Sequence, residues 1–354
     1  MLHRSARRGF TLIEMMIALA IAGFVVTALY GVFTIQSRQL LTQDLNMEMH
    51  QNERFAVDMV TRSVRMAGNG AAGKVAGMFG PNGSDHNEFL PVIIPFDGGA
   101  SDPDAITVVY ADSSLKFQTR NDEVPACNTT SLGVRVDMLD YADKLAQYDS
   151  GDLLMCMHYA DISGIKSYLW SVTGTPDLAN GIVFVNDLSS YSDYSSWCGT
   201  ADNVPPVIAC SKANIITFYV DDDDDGIGPG TEDHPTLMMD MNLNWPSSDD
   251  VPLVDNIEDF QVEYCLDDGT LQTDCTDPAQ WDTSFDTDQV RNVWMVRMSF
   301  MVRSSREDFR DNFRTGRPAM GNRSPGSAGA DHYLRQAITT EVAVRNLRYQ
   351  ASAQ

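Results

Sequence analysis

The sequence predicts an α+β protein, a single long N-terminal helix followed by a head of mostly antiparallel sheet with a large insert. Three observations predict it. Residues 10–35 form an apolar run with one formal charge. Helical spacing of apolar residues continues to about Met66, and no proline occurs before Pro81. From residue 105 onward, short runs of β-branched and aromatic residues alternate with turn-rich segments, the pattern of antiparallel strands.

The apolar run comprises 26 residues, enough to cross a bilayer as a helix, which takes about 20. It exceeds the apolar core of an ordinary secretory signal, contains Glu14, and continues past the cleavage-like Ala20-Ile21-Ala22. It is therefore read as a retained span. A carboxylate in such a span is costly, which marks Glu14 as a functional residue seeking a partner. Beyond it, Leu41, Leu45, Met49, Ala56, Val60 and Val64 recur at helical spacing. Asp44, Glu48, Glu53, Asp58 and Arg62 fall largely on other faces, as in an amphipathic helix. The helix is expected to stop at Gly68-Asn69-Gly70, since glycine ends helices readily. Residues 10–66 would then make a rod roughly 85 Å long. Gly23 and Gly31 leave two readings open, a local bend or close packing of helices.

Residues 67–104 are rich in Gly, Asn, Asp and Pro and read as a connection with one apolar island at 89–96. Strands are expected at 105–111, 153–159, 165–172, 182–185, 215–220, 237–241, 257–264, 290–302 and 340–349. The run containing Trp294 is the longest and is expected to be central. Residues 306–331 read as an exposed loop.

The net charge of −24 argues against direct nucleic-acid binding, because so acidic a surface repels phosphates. The six cysteines are Cys127, Cys156, Cys198, Cys210, Cys265 and Cys275, with none in a CxxC. An even count beside an export signal reads as disulfides. Sequential pairing is the simplest of the possible connectivities. It favours Cys198–Cys210 and Cys265–Cys275 and adds Cys127–Cys156; free buried thiols are the alternative.

The segment Arg8-Gly9-Phe10-Thr11-Leu12-Ile13-Glu14 resembles the class III signal of type IV pilins and pseudopilins. The resemblance implies cleavage by a prepilin peptidase between Gly9 and Phe10, N-methylation of Phe10, and retention of the apolar helix. Losing residues 1–9 removes three arginines and takes the side-chain charge from −24 to −27. A long helix ending in Arg65-Met66-Ala67-Gly68 resembles PilW-type minor pilins, as do residues 257–264, the Trp294 strand and Val344-Arg345-Asn346-Leu347. The organisation implied is a leader (1–9), a membrane and filament-core half-helix (10–35), a spine half-helix (36–68) and a head (69–354). The leader stays inside, and the head faces the periplasm of a bacterium, then the cell surface in the pilus. Partners implied are other major and minor pilins, the prepilin peptidase, the inner-membrane assembly platform and a tip adhesin. Glu14 would pair with the N-terminal amine of Phe10 on a neighbouring subunit and set axial register, because a wrong register leaves both charges buried and unpaired.

One further motif stands out. Asp221, Asp223, Asp225, Gly226 and Glu232 fit the spacing of a calcium loop. A strand precedes it, no helix follows, and five consecutive aspartates satisfy the early positions by degeneracy. Calcium is thus the one cofactor considered, with a solvated acidic turn as the alternative. No Gly-x-Ser-x-Gly, HExxH or phosphate loop occurs, and the six histidines are scattered. An enzyme is not expected. The sequence reading is a minor pilin acting in pilus initiation at or near the tip, with a type II secretion pseudopilin or an adhesive tip module as alternatives.

Overall fold

The computed structural model describes residues 11–70 and, in the head, residues 74–77, 89–119, 127–128, 130–134, 140–158, 167–185, 208–221, 234–241, 245–247, 249–266, 275–276, 280–285, 293–307, 316–321, 323–325, 332–344 and 346. The first element is α1 (Leu12–Met66), 55 residues without interruption. The strands of the first half of the head are β1 (Lys74–Gly77), β2 (Phe89–Pro91), β3 (Ile93–Phe96), β4 (Ala105–Gln118), β5 (Cys127–Asn128), β6 (Ser131–Gly133), β7 (Leu153–His158), β8 (Ser167–Ser171) and β9 (Ile182–Phe184), with a short α2 (Tyr141–Leu145) between β6 and β7. The second half adds β10 (Ile208–Asp221), β11 (Thr236–Asp240), β12 (Val251–Asp255), β13 (Ile257–Leu266), β14 (Trp281–Asp282), β15 (Val293–Arg303) and β16 (Arg335–Ala343).

A nine-stranded sheet runs β12-β11-β10-β7-β8-β1-β2, with β4 on the other side of β10 and β3 on β4. A four-stranded sheet runs β14-β13-β15-β16, and a small one β5-β6-β9. Among the described strand pairs only β1 with β8 is parallel. The longest strands are β4 and β10, 14 residues each, whereas β15 has 11 and sits inside the smaller sheet. The Trp294 run is therefore not the longest strand, contrary to expectation, although it is flanked on both sides within its own sheet. The apolar island at 89–96 divides into β2 and β3 at Val92, whose carbonyl accepts from the Val109 N–H at 2.9 Å. The last strand lies at Arg335–Ala343 rather than at 340–349.

The spine stripe follows the helical repeat. Leu45, Met49, Ala56, Val60 and Val64 are buried against the head, and no residue of α1 before Leu45 is buried. Leu41, expected in the stripe, is 56% exposed, because the head begins one turn later. The helix end is fastened to β4. Gly68 donates its N–H to Val109 O at 3.0 Å, and Asn69 joins Ala111 through both backbone and side chain. Gly70 has φ +77°, and a Cβ there would lie 2.5 Å from Ala111 Cβ, so glycine is required at this turn. The last carbonyls of α1, at Arg65, Met66 and Ala67, accept from Asn346 Nδ2 at 3.2–3.4 Å, a side chain from the far end of the chain. A helix leaves those carbonyls unpaired unless a cap is supplied.

Two large cores result. The first joins α1, the four-stranded sheet and one end of the β4–β10 ribbon, with Val60, Val64, Ile215, Phe260, Phe300 and Val342 among its members. The second lies at the other end of that ribbon and contains Phe117, Leu132, Tyr148, Leu154, Trp170 and Val183. The ribbon crosses between them, with the buried pair Thr107–Thr217 (Oγ1···Oγ1 2.8 Å) at its first-core end.

Candidate membrane-spanning and assembly helix

The features that point to function lie at the start of α1. Thr11 is the N-cap residue, and its hydroxyl accepts from the Glu14 N–H. The Glu14 carboxylate in turn accepts from Thr11 N and from Thr11 Oγ1, both at 2.9 Å. This reciprocal capping box satisfies N–H groups that an N-terminal turn cannot pair internally. Thr-x-x-Glu is the sequence pattern of such a box, whereas the sequence reading of Glu14 rests on its charge within an apolar span. Both contacts use Oε2, which leaves Oε1 without a partner in the single chain. A negative group in the first turn also meets the positive end of the helix dipole. Gly9 and Phe10 lie outside the described residues.

From Leu12 onward the helix presents its apolar side chains to the surroundings. Leu12, Met16, Leu19, Phe24, Leu29, Tyr30 and Phe33 are each more than 60% exposed. The most apolar stretch of 18 residues has no residue buried against the head. Leaving so many large side chains in water is very unfavourable at roughly 25 cal/mol per Å², so this half requires lipid or other helices around it. The helix continues through Gly23 and Gly31 without a break. Thr27 Oγ1 donates to Gly23 O at 2.9 Å and Thr34 Oγ1 to Gly31 O at 2.8 Å. Apart from the neighbouring turns of the helix itself, no atom among the described residues stands within 4 Å of where a Cβ would be at either glycine.

The cysteines pair differently from the sequential expectation. Cys156 on β7 is bonded to Cys210 on β10, and Cys265 to Cys275. The second bond is the expected one. The first replaces both Cys198–Cys210 and Cys127–Cys156. Its reason is sheet register, because Cys156 and Cys210 stand directly opposite in the β7–β10 ladder although 54 residues apart. Cys198 lies outside the described residues, as does the side chain of Cys127. Of the calcium-motif residues, Asp221 is the last residue of β10; Asp223, Asp225 and Glu232 lie outside the described residues. No cluster of three or more His, Cys, Asp or Glu side chains placed to hold a metal occurs among the described residues.

A buried polar tie, missed in the sequence, joins the two large sheets. Asp104 accepts from Gly98 N (2.9 Å) and from Val262 N (2.8 Å), and its own N–H donates to Phe260 O. Next to it, Asp259 and Arg323 form an ion pair at 2.6 Å with both side chains buried. Arg323 also donates to the Ser101 carbonyl. Burial pushes the Asp104 carboxyl up to about 6 against the pull of its two N–H donors, with Asp97 and Asp259 adding repulsion. No local pattern marks these residues, since they meet only when the sheets do.

A capped apolar helix that continues into a β-sheet head, with its acid in the first turn, is an arrangement similar to that of type IV pilin-like proteins. Residues 4–30 match the prokaryotic N-terminal methylation motif, and residues 217–346 match the family described as Type IV Pilus-assembly protein W. Within its class the chain is accordingly similar to PilW-type minor pilins. Among solved structures it resembles a type IV-like pilin from Thermus thermophilus, at 8% identity and a TM-score of 0.32 over 84% of this chain and 97% of that one. At that level the likeness carries no argument beyond the fold described above. No curated protein matches the chain.

Proposed function

We propose that the chain is a minor pilin acting in initiation of a type IV pilus, placed at or near its tip. The observation that carries this reading is the contrast along α1. No described residue before Leu45 is buried, while the second half is packed into the first of the head's two large cores. A subunit with so large a head suits a terminal position better than a repeated one. Cleavage after Gly9 would free the Phe10 amine, and Oε1 of Glu14 is the oxygen open to such an amine on a neighbour. The head would stand in the periplasm, held by the helix in the inner membrane, until assembly carries it outward. Other pilins and the assembly platform are the partners this requires.

The pseudopilin alternative rests on the same N-terminal chemistry. Surface piliation and export of a type II secretion substrate, measured together in a strain lacking the gene, separate the two. Loss of pili with normal secretion supports the pilus; lost secretion with intact pili overturns it. At residue level, Glu14→Ala is expected to leave cleavage after Gly9 intact and to reduce incorporation into fibres at least tenfold, the effect of about 1.4 kcal/mol or more. Normal incorporation of this variant would remove the register argument.

A further inference from the structure

We propose that the outer edge of β16 is a docking site for an extended strand donated by a different, less acidic pilus protein. The proposal rests on the pilin reading. An unpaired strand edge is a ready template for another strand, and proteins blunt such edges with proline, charge, bulges or shortness. The other described edges follow that rule. β2, β3 and β12 contain Pro91, Pro95 and Pro252, while β5, β9 and β14 have two or three residues each. β16 is the exception among the described strands. Its nine residues, Arg-Gln-Ala-Ile-Thr-Thr-Glu-Val-Ala, contain no proline and no lysine. They pair one-to-one with β15 from Arg335↔Arg303 to Ala343↔Met295 without a register shift.

The direction of each backbone group follows from the ladder. Val344 N donates to Trp294 O and Ser304 N donates to Leu334 O. Even-numbered residues of β16 therefore form the hydrogen-bonded pairs with β15, and odd-numbered residues aim N–H and C=O outward. Ala337, Thr339 and Glu341 are the exposed members of that outward set, and their outward backbone groups have no backbone partner among the described residues. The flanking even positions, Ile338 and Val342, face the first core, so the edge is held rigidly from behind.

Charge selects the occupant. Residues 67–354 carry 18 Lys and Arg against 44 Asp and Glu, a net −26. A second copy would bring the same charge against this one. The two charges of β16 are taken up within the chain, Arg335 by Glu258 and Glu341 by Arg297, so a strand from a less acidic protein escapes the repulsion between two such heads without needing a charge of its own at the edge. Main-chain pairing would supply affinity and alternate side chains specificity.

The test uses the full chain in purified pili and, for comparison, the same chain as a detergent-solubilised monomer. Amide exchange at Ala337, Thr339 and Glu341 is expected to be fast in the monomer and slowed at least 100-fold in pili. A photoreactive residue at Ala337 should link to one extended peptide of another protein, identified by sequencing. Thr339→Pro should abolish that link while Thr339→Val retains it. The Thr339 N–H points away from β15, so proline there leaves the ladder intact. If the proline variant unfolds, Thr339→Lys serves the same purpose. A link to a peptide of this same chain, or unprotected amides in pili, overturns the proposal. If the wild-type chain is absent from pili, the pilin reading fails instead. The same photoreactive chain in whole cells then decides the edge alone, since absence of a linked foreign strand there overturns it.

Discussion

The two large cores of the head are assembled by opposite means. The first is made from distant parts of the chain. The helix stripe Leu45–Val64 meets β12, β15 and β16, and buried charge ties the sheets at Asp104 and at Asp259–Arg323. The second draws all its members from residues 115–210. Its centre is aromatic, with Tyr148 edge-on to Phe117 at 5.8 Å and its hydroxyl bound to Leu115 O, and one disulfide crosses it. It also lies wholly outside the residues matched by either family. The contrast teaches where constraint falls. The first core must serve the helix, whereas the second is free to carry whatever surface the particular protein presents.

The largest test of that contrast is core truncation. Phe260 and Phe300 stack at 4.8 Å, fully buried in the first core. Phe260→Ala is expected to cost about 3–5 kcal/mol, read by chemical denaturation of the full chain in detergent. Phe117→Ala should give a comparable loss confined to the second core, followed by tyrosine fluorescence after Trp170→Phe. Identical single transitions for both variants would mean that the cores are one cooperative unit.

Replacing Cys156 and Cys210 with alanine is expected to lower the stability of the second core by about 2–4 kcal/mol, because the bond closes a long loop. The first core should keep its transition, and peptide mapping without reductant should recover the 156–210 link. A recovered 198–210 link would refute the pairing.

Asp104→Asn is expected to cost about 1–3 kcal/mol, since an amide offers one acceptor oxygen to two N–H donors. The pH dependence has a definite sign. The folded carboxyl titrates near 6, above its ordinary value of 3.8. The native state thus binds the extra proton, and this contribution falls as pH rises from about 4 through 6. Asp104→Asn should flatten that slope, and an unchanged slope would show that another group sets it.

The smallest effect expected concerns the acidic motif 221–232. If it binds calcium, the ion raises the melting temperature of the chain by a few degrees, roughly 1 kcal/mol, and Asp223→Ala with Asp225→Ala abolishes the rise. No rise in the parent chain would remove the calcium reading.

The helix was legible because its signals are local: the 3.6-residue stripe, the absence of proline and the stop at Gly68. Most strands were legible for the same reason. Legibility failed where the outcome depends on what lies opposite. Cys156 and Cys210 are joined by sheet register, which sequence distance hides. Leu41 is apolar and in phase, but the head does not reach it. Residues 344–349 have strand-forming side chains, yet Asn346 is taken up by the end of a helix 279–281 residues away. Glu14 is conspicuous in sequence as a charge in an apolar run, whereas Thr11, to which it is hydrogen-bonded, is not.

That last cap has a consequence for the time course of biosynthesis. α1 leaves the ribosome early, but the strands that cover its stripe, and the asparagine that closes it, are made nearly 300 residues later. At typical rates of 5–20 residues per second this is an interval of roughly 15–60 s. During it the second core can already close on itself, while Leu45, Met49, Ala56 and Val60 stay uncovered. The stripe stays uncovered until its partner strands arrive, and the first core is complete only once Val344, its last member, has been delivered.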